Sequence, residues 1–356
     1  MENLNKYDIE WAMKPIWQGN TIYHESVLMV ENAAGEIFAP LLYYPDTILS
    51  VCDSTLGITY TEKEDFELRD GFLWRTPNSR MPYLTYQQFY CPNEEDDLVM
   101  NLDSGGHMRI VCAPYMQQGI IYVTYTHEDS WRWRIPTFKG DLLPRTYDKL
   151  QKSEPLTVLF YGDSVTSGDD VTCQTNVPPY TPLWTEMFVA NLERRYGSKV
   201  TMIDTALGGS DTAWGLENLQ THVIDYKPNL AVIGFGNNDR MNPAGYRKQI
   251  ETILARVQDA CPDTEFILVD PMTPNRFISQ KNGYRWYVLQ DRYAEQHKKL
   301  EGPGVAVMEI MQVHLDLQNV KRFWDMTANN VNHPNDFLYR VLAQVCSAIL
   351  IPADKL

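Results

Sequence analysis

The chain has 356 residues, of which 44% are hydrophobic and 22% charged, and its formal net charge at pH 7 is −15. This length and composition are typical of a globular protein with room for two domains. Lysine and arginine do not cluster, and the acidic excess repels phosphates. We therefore expect neither nucleic acid nor an anionic membrane surface as a partner.

The first residues and the cysteines indicate where the protein works. The start MENLNKYDIEWAMKP has neither the basic stretch nor the apolar run of a secretory signal. No apolar run approaches the roughly 20 residues that span a bilayer. The six cysteines lack CxxC or metal-ligand spacing. We expect a cytoplasmic protein with reduced thiols and no metal site.

Residues 1–145 predict an all-β domain. Short runs of aromatic and β-branched residues at Thr21–Val30, Tyr83–Tyr90 and Gly119–His127 are typical of strands. The last run, GIIYVTYTH, alternates in a way that predicts one buried and one solvated face. Several short strands, separated by turn-forming residues and without helices, favour a jelly-roll-like β-sandwich.

The pattern changes after a predicted linker at residues 146–155. The run LTVLFYG, Leu156–Gly162, is typical of a parallel strand buried on both faces. Further strands are predicted at Val200–Asp204, Leu230–Gly234, Phe266–Asp270 and Val305–Met308. Helices are predicted at Pro182–Gly197, Ala213–Tyr226, Tyr246–Ala260, Tyr287–Leu300 and Asp336–Leu350. This alternation predicts a doubly wound parallel sheet over residues 156–356.

Four short polar blocks lie where that sheet would gather them. The block GDSVTSG, with Ser164, follows the first strand, and a turn with Gly209 follows the second. The block GNND, with Asn238, follows the third strand, and NVNHP, with His333, precedes the last helix. Because ligands bind at the carboxyl ends of parallel strands, we expect these residues to meet at that edge.

The residue types in these blocks suit acyl transfer. A serine hydroxyl needs a neighbouring base, and an imidazole with a pKa of about 6.5 can take its proton near neutral pH. The oxyanion then formed needs fixed donors. The backbone N–H groups of Ser164 and Gly209 and the amide of Asn238 are candidates for this oxyanion hole. We therefore predict Ser164 as the nucleophile and His333 as the general base.

The four blocks resemble those of the SGNH hydrolases, also called the GDSL family, which are named for these Ser, Gly, Asn and His residues. The resemblance covers about residues 155–350, with the blocks in the family's order. It implies a flavodoxin-like three-layer α/β/α domain without a metal or organic cofactor. It also separates the chain from the α/β-hydrolases, whose G-x-S-x-G motif ends in glycine where this chain has Thr166.

The last block departs from the family pattern, which reads Asp-x-x-His. The residue three positions before His333 is Asn330, so the group that orients the imidazole is left open. Asn330 can do so through its amide oxygen, or a backbone carbonyl can. Asp325 and Asp336 lie nearby in sequence but do not fit the motif. We favour a Ser–His dyad with Asn330 as a helper.

Other side chains are interpreted more simply. Asp163 and Asp239 are expected to hydrogen-bond the backbone of their turns. Trp214 follows the Gly209 turn and is the candidate platform for a sugar ring or acyl chain, with core packing as the alternative.

A β-sandwich before an SGNH domain, with the acid missing before the histidine, resembles certain carbohydrate esterases. This resemblance implies a carbohydrate O-acetylesterase that acts on small-molecule or oligosaccharide esters. Two alternatives are a lipolytic esterase or thioesterase, and a sugar-binding protein with a dead hydrolase domain. A homo-oligomer is compatible with the sequence.

Overall fold

The computed structural model describes residues 8–91, 99–110, 115–278 and 289–356. The strands are β1 Thr21–Leu28, β2 Val30–Glu31, β3 Ile37–Pro40, β4 Thr47–Asp53, β5 Phe66–Arg69, β6 Phe72–Arg75, β7 Val99–Asn101, β8 His107–Arg109, β9 Ile120–Thr126, β10 Leu156–Gly162, β11 Val200–Asp204, β12 Leu230–Gly234, β13 Glu265–Val269 and β14 Val305–Met308. The helices are α1 Ile9–Ala12, α2 Tyr86–Tyr90, α3 Tyr115–Gln118, α4 Pro144–Gln151, α5 Ser164–Ser167, α6 Trp184–Tyr196, α7 Thr212–His222, α8 Pro243–Ala260, α9 Gln290–Lys298, α10 Ile310–Leu317 and α11 Asp336–Leu350.

Five parallel strands form the sheet of the second half, in the order β11–β10–β12–β13–β14. Its first strand, β10, pairs with β11 on one side and with β12 on the other. In order of appearance this is 2-1-3-4-5, the flavodoxin-like arrangement. Strands β12 and β13 are buried along their whole length, as an apolar run in a covered parallel sheet requires. The predicted parallel sheet is confirmed.

Alternate residues of β10 point into two hydrophobic cores. Val158 and Phe160 belong to the core that includes residues of α6 and α11. Leu159 and Tyr161 belong to the core that includes residues of α7 and α8. Because successive side chains of a strand face opposite sides, this division places helices on both faces of the sheet.

The other elements of this half follow the sequence closely. Helix α6 ends at Gly197, which has φ +68°, the left-handed cap that was predicted. The first two residues of the helix predicted at Tyr287–Leu300 lie outside the described residues. Helix α10 was not predicted, and its N-cap residue Glu309 makes no side-chain cap hydrogen bond. Among the described residues, no helix combines the length and apolarity needed to cross a membrane.

The N-terminal half consists mostly of antiparallel strands in three small sheets. Their orders are β1–β9–β4, β2–β3–β6–β5 and β7–β8. The central strand β9 is buried from Ile120 to Tyr125, so the predicted solvated face is wrong. One face packs into the core that holds Val123, and the other packs into a separate cluster with Phe89 and Trp324.

The segment Tyr83–Tyr90 was predicted as a strand but contains helix α2. Thr85 is the N-cap, and its Oγ1 accepts the backbone N–H of Gln88 at 3.2 Å. In return the Gln88 side chain accepts the Thr85 N–H at 2.9 Å. This capping box starts a helix against the strand preference of the aromatic residues that follow.

The two halves share one hydrophobic core. The core that contains residues of α6 and α11 also holds Val27 and Val123 from the N-terminal strands. The predicted linker is partly helical, since α4 covers residues 144–151, and Glu265 accepts the Thr146 N–H at 2.7 Å. The division into residues 1–145 and 156–356 stays a prediction, but the junction between them is packed.

Candidate active site

Two neighbouring strands bring the serine block and the asparagine block together. Strand β10 ends at Gly162 and β12 ends at Gly234, and these two residues are register partners. A Cβ atom on Gly162 would lie 2.2 Å from the Gly234 carbonyl oxygen, so only glycine allows this approach. Ser164 and Asn238 therefore follow adjacent strand ends at the same edge of the sheet.

Asp163 fixes the turn that presents the nucleophile candidate. Its Oδ1 accepts the Val165 N–H at 3.0 Å, which caps α5, and its Oδ2 accepts the Asn237 side-chain amide at 2.9 Å. Burial raises the pKa of Asp163 to about 6, although these donors oppose the rise. The predicted structural role of Asp163 is confirmed, and the carboxylate also joins two of the blocks.

The structure joins Ser164 to His333. Ser164 is 5% exposed, and its Oγ lies 3.0 Å from His333 Nε2. The other ring nitrogen, Nδ1, lies 2.7 Å from Asp170 Oδ2. When Nδ1 carries the proton and donates it to the carboxylate, Nε2 is free to take the serine proton. A hydroxyl, an imidazole and a carboxylate thus form one continuous chain.

Asp170 corrects the expectation of a Ser–His dyad. The acid lies two residues after the serine block, six positions after Ser164, rather than in the histidine block. Asn330, the predicted helper, is fully buried and binds elsewhere. Its Nδ2 donates to the Arg109 carbonyl at 2.8 Å, and its Oδ1 accepts from Asn275 at 3.0 Å. Asn330 therefore ties loops together and does not orient the imidazole.

Two left-handed residues bring Asp170 back toward the histidine. Gly168 ends α5 with φ +78°, and Asp170 has φ +71°, a conformation that a non-glycine residue adopts at a cost. Between them, Asp169 accepts Ser167 Oγ at 2.6 Å, and its carbonyl accepts the Tyr339 hydroxyl at 2.8 Å. The signal for this acid in the sequence is the pair of aspartates that directly follows a helix-ending glycine.

Three carboxylates set the charge around His333. Burial lowers the pKa of the imidazole, but the hydrogen bond and charge of Asp170 raise it, and the charges of Asp169 and Asp163 add to the rise. The net result is a pKa above the ordinary value of about 6.5. The neutral form, which accepts a proton, therefore predominates only at a higher pH than in a free histidine.

The Gly209 turn is anchored to the serine block. The Leu207 N–H and the Ser210 hydroxyl both donate to the Gly162 carbonyl, each at 2.9 Å. The Asn238 Nδ2 donates to the Ser210 carbonyl at 3.0 Å, which leaves its second hydrogen for another acceptor. An open depression of about 480 Å³ lies here, lined by Gly209, Asp211, Asn238, Arg240 and Met241.

The family model of the GDSL-like lipase/acylhydrolases matches residues 160–341, slightly more than half of the chain. The match runs from β10 into α11 and contains all four blocks. The protein belongs to the GDSL-like lipase/acylhydrolase family. Membership indicates an enzyme that hydrolyses ester bonds.

Solved structures similar to this GDSL-like protein share little sequence with it. A two-domain esterase active on acetylated mannans, co-crystallised with mannopentaose, has a TM-score of 0.46 and 17% identity, with 59% of this chain and 52% of that chain covered. An acetylxylan esterase from Geobacillus stearothermophilus has a TM-score of 0.42 and 13% identity, with 53% of this chain and 91% of that chain covered. A putative GDSL-like lipase from Parabacteroides merdae has a TM-score of 0.41 and 14% identity, with 54% of this chain and 95% of that chain covered. This chain thus spans about half the length of the two-domain esterase. No curated protein matches it.

In this GDSL-like protein, Asn329 holds the histidine loop. Its Oδ1 accepts three successive backbone N–H groups, those of Val331 at 2.9 Å, Asn332 at 3.0 Å and His333 at 3.1 Å. One amide oxygen therefore fixes the path of the loop up to the histidine itself. Asn329 was not among the residues predicted from the sequence.

Strand β1 of the N-terminal half supports the same loop of the GDSL-like domain. Ser26 Oγ accepts the Asn335 amide at 3.1 Å and donates to the Asp325 carbonyl at 2.5 Å. The Leu28 N–H donates to Asp325 Oδ1 at 2.8 Å. Asn335 in turn caps α11, with its Oδ1 accepting the Leu338 N–H at 3.2 Å. The loop that carries His333 is therefore built partly on the N-terminal half.

Trp214 is half-buried, packs against a core of the GDSL-like domain and is not among the residues that line the depression. Its ring lies 5.5 Å from that of Tyr161 and 5.1 Å from that of His222, measured between centroids. Tyr161 belongs to the core beneath α7 and α8. These contacts favour the packing alternative, and the role of Trp214 as a platform stays a prediction. Asp239 accepts the Thr212 N–H at 3.2 Å, as expected of a turn-fixing carboxylate.

Proposed function

We propose that the protein is a serine esterase that removes O-acetyl groups from acetylated carbohydrates. The observation that carries the proposal is the chain of hydrogen bonds from Ser164 Oγ through His333 to Asp170. Such a chain gives a hydroxyl the base that it needs for attack on an ester carbonyl.

The depression beside Asn238 supports a small acyl group on a polar alcohol. Asp211, Arg240 and Asn238 contribute charged or amide groups to its lining. Hydroxyl groups of a sugar hydrogen-bond with such side chains, whereas a long acyl chain needs an apolar channel. An acetyl group is short enough to react at the Ser164 hydroxyl without such a channel.

In the first step, Ser164 Oγ attacks the acetyl carbonyl carbon and its proton passes to His333 Nε2. The Asp170 carboxylate accepts the Nδ1 hydrogen bond and stabilises the imidazolium. The backbone N–H groups of Ser164 and Gly209 and the free amide hydrogen of Asn238 are the proposed donors to the oxyanion. The ester C–O bond then breaks, and the sugar oxygen leaves with the proton from Nε2.

In the second step, water attacks the acetyl-serine while His333 Nε2 takes a proton from it. The bond between the acetyl carbon and Ser164 Oγ breaks, and the serine oxygen recovers its hydrogen from the imidazolium. Acetate leaves, and the enzyme returns to its starting state. No further reactant is needed.

The test compares acetate release from acetylated xylo-oligosaccharides with hydrolysis of p-nitrophenyl esters of increasing chain length. We expect acetate release from the sugar and rates that fall steeply beyond the acetyl ester. Ser164→Ala should abolish both and leave the folded circular-dichroism spectrum unchanged. A preference for long acyl chains would instead identify a lipolytic esterase or thioesterase.

A serine-reactive phosphonate separates an enzyme from a sugar-binding relic. Labelling of the wild type but not of Ser164→Ala is expected, because only an activated serine reacts. An unlabelled wild type would show that the hydrolase half is catalytically dead.

A further inference from the structure

A second groove lies apart from Ser164, between the N-terminal half and the loop that follows α10. Its volume is about 410 Å³, within the roughly 300–1,000 Å³ of small-molecule sites. Its lining contains four aromatic residues, Tyr43, Tyr44, Phe72 and Trp133, together with aliphatic and polar ones. Neither the sequence blocks nor the proposed reaction uses any of these residues.

Tyr44 is exposed, and its ring rests against Gly71. It is 64% exposed, the most exposed of the large hydrophobic side chains in the described residues. Its ring lies against Gly71, where a Cβ atom would come within 2.9 Å of Tyr44 Cδ2. Its backbone N–H donates to Asp129 Oδ2 at 3.1 Å. An aromatic ring that rests against a neighbouring backbone presents apolar surface to solvent and loses less conformational freedom on binding than a ring without contacts.

Trp133 contacts Trp131, which in turn packs against buried Trp17. Its ring meets that of Trp131 edge to face at a centroid distance of 4.9 Å. Trp131 lies 6.5 Å from Trp17, which is buried, and its Nε1 donates to the Arg134 carbonyl at 3.3 Å. The tryptophan pair that the sequence places near the junction thus belongs partly to the shared core and partly to the groove.

The polar lining of the groove is mixed in charge and rich in acceptors. Asp129 Oδ1 pairs loosely with Arg132 at 3.4 Å, and the Arg132 side chain stays 69% exposed. Asp70 and Asn319 also line the groove and are exposed. Asn319 donates its amide hydrogen to the Leu315 carbonyl at 3.3 Å, which leaves its Oδ1 as an acceptor.

This combination selects a neutral, hydroxyl-rich ligand. Carboxylate and amide oxygens accept hydrogen bonds from hydroxyl groups, and a guanidinium donates to them. The C–H face of a pyranose ring covers an aromatic ring and removes its apolar surface from water. Two carboxylates repel phosphate or carboxylate ligands, and the charged and amide groups set among the apolar lining disfavour an entirely apolar lipid chain.

We infer that the groove is a second, non-catalytic binding site for a neutral oligosaccharide, with Tyr44 and Trp133 as stacking platforms. The inference deepens the proposed function and rests on it only for the choice of sugar. A chain held here stays near the same molecule, which raises the effective concentration of acetylated units at Ser164. The site then lowers KM for long acetylated oligosaccharides and leaves the turnover of small esters unchanged.

The experiment titrates xylohexaose and mannohexaose, without acetyl groups, into the Ser164→Ala protein by calorimetry. Tyr44→Ala in that background should weaken binding of the preferred hexaose by about tenfold or more, because the platform is lost. Tyr44→Phe keeps the ring and should bind like the parent. Tyr226→Ala, which removes another exposed tyrosine (46%) of the GDSL-like half, is the matched control and should have no effect.

Absence of hexaose binding by the parent, or equal binding by Tyr44→Ala, would overturn the inference. In the Ser164-containing protein, Tyr44→Ala should raise KM for acetylated hexaose and leave p-nitrophenyl acetate hydrolysis unchanged. If acetate release from sugars is absent while Tyr44-dependent hexaose binding remains, the proposed function is wrong, but the groove is still an oligosaccharide-binding site. If the wild type and Tyr44→Ala deacetylate the hexaose with the same KM, the groove is not an oligosaccharide-binding site, but the proposed function is upheld.

Discussion

At the scale of single residues, the acidic surroundings of His333 decide how the site responds to pH. Asp170 contacts the imidazole directly, while Asp169 and Asp163 act through their charge. All three favour the protonated ring, which cannot accept the Ser164 proton. The same charges stabilise the imidazolium once that proton has moved. In the proposed reaction, the carboxylates therefore stabilise the transition state but reduce the fraction of His333 that is neutral and able to act as a base.

The pH profile of kcat/KM follows from this balance. Because the pKa of His333 is raised, activity should fall as pH decreases through a midpoint above the ordinary value of about 6.5. In Asp170→Asn the midpoint should move to lower pH. The rate plateau should drop by about 10³–10⁴-fold, as when a triad acid is made neutral. Initial rates on p-nitrophenyl acetate between pH 5 and pH 9, a range of about four units around the histidine pKa, measure both.

Asn330 is expected to contribute to stability, in contrast to His333, which is expected to contribute to activity. Asn330→Ala should lower the melting temperature, because the residue is fully buried and joins two loops, while costing far less activity than His333→Ala. Thermal unfolding together with kcat separates the two effects. Equal losses of kcat at Asn330 and His333 would make Asn330 a full partner of the imidazole.

Asn238 tests the proposed oxyanion hole. One of its amide hydrogens is engaged by the Ser210 carbonyl, and the other is the proposed donor. Asn238→Ala should lower kcat by about 10²–10³-fold with KM little changed, because the donor acts mainly on the transition state. Steady-state kinetics on p-nitrophenyl acetate provide the measurement, and a loss confined to KM would contradict the assignment.

At the scale of elements, the loops that carry His333 and Asp170 are supported by strands that come early in the chain. Strand β1 supports the histidine loop through Ser26, which contacts both Asn335 and the Asp325 carbonyl. Strand β9 contributes Tyr122, whose hydroxyl donates to Asp336 at 3.3 Å. Asp336 also accepts the Thr172 N–H at 3.0 Å, two residues beyond Asp170. The loops that carry His333 and Asp170 thus both have a support in the N-terminal half.

Ser26→Ala measures this support. The change removes two buried hydrogen bonds, each worth about 0.5–1.5 kcal/mol, so the free energy of unfolding should fall by about 1–3 kcal/mol. The Asn335 amide and the Asp325 carbonyl keep the 3.0 Å hydrogen bond between them. We also expect a lower kcat, since the loop with His333 loses one of its fixed points. Tyr43→Phe is the control: it removes a buried hydroxyl that donates to the Ile16 carbonyl at 2.8 Å, in the same half of the protein. Its kcat should equal that of the wild type.

At the scale of the whole molecule, the halves are joined by a shared core and by a buried ion pair. Lys321 and Glu25 contact each other with both side chains 0% exposed. Glu25 also accepts the Tyr125 hydroxyl at 2.7 Å and the Leu42 N–H at 2.9 Å. A charge this deep depends on its partner, because an unpaired buried carboxylate is strongly unfavourable.

Lys321→Met should therefore destabilise the protein by about 3–5 kcal/mol, because Glu25 is left charged and unpaired. Adding Glu25→Gln should recover part of that loss, since the remaining amide can still accept the Tyr125 hydroxyl. Urea unfolding of the two variants and the wild type gives the comparison. A double variant less stable than Lys321→Met would show that the ion pair is not the source of the loss.

The sequence by itself determined the parallel sheet, most of its bounds and the four blocks. The reason is that each of these features depends only on residues that are close together in the sequence. Examples are the apolar runs of strand length, the glycine at the end of α6 and the short polar motifs. The family resemblance followed from the same motifs. The contact between Ser164 and His333 was expected on these grounds because parallel strands end at one edge.

Only the tertiary structure decided which acid meets the histidine. Two left-handed residues, Gly168 and Asp170, turn the carboxylate toward a ring that lies 163 positions further along the chain. No motif specifies such a turn. Likewise Trp214 faces Tyr161, and β9 is buried on both faces, because distant segments fold over them. Local patterns fix elements, whereas contacts between distant side chains depend on how those elements pack.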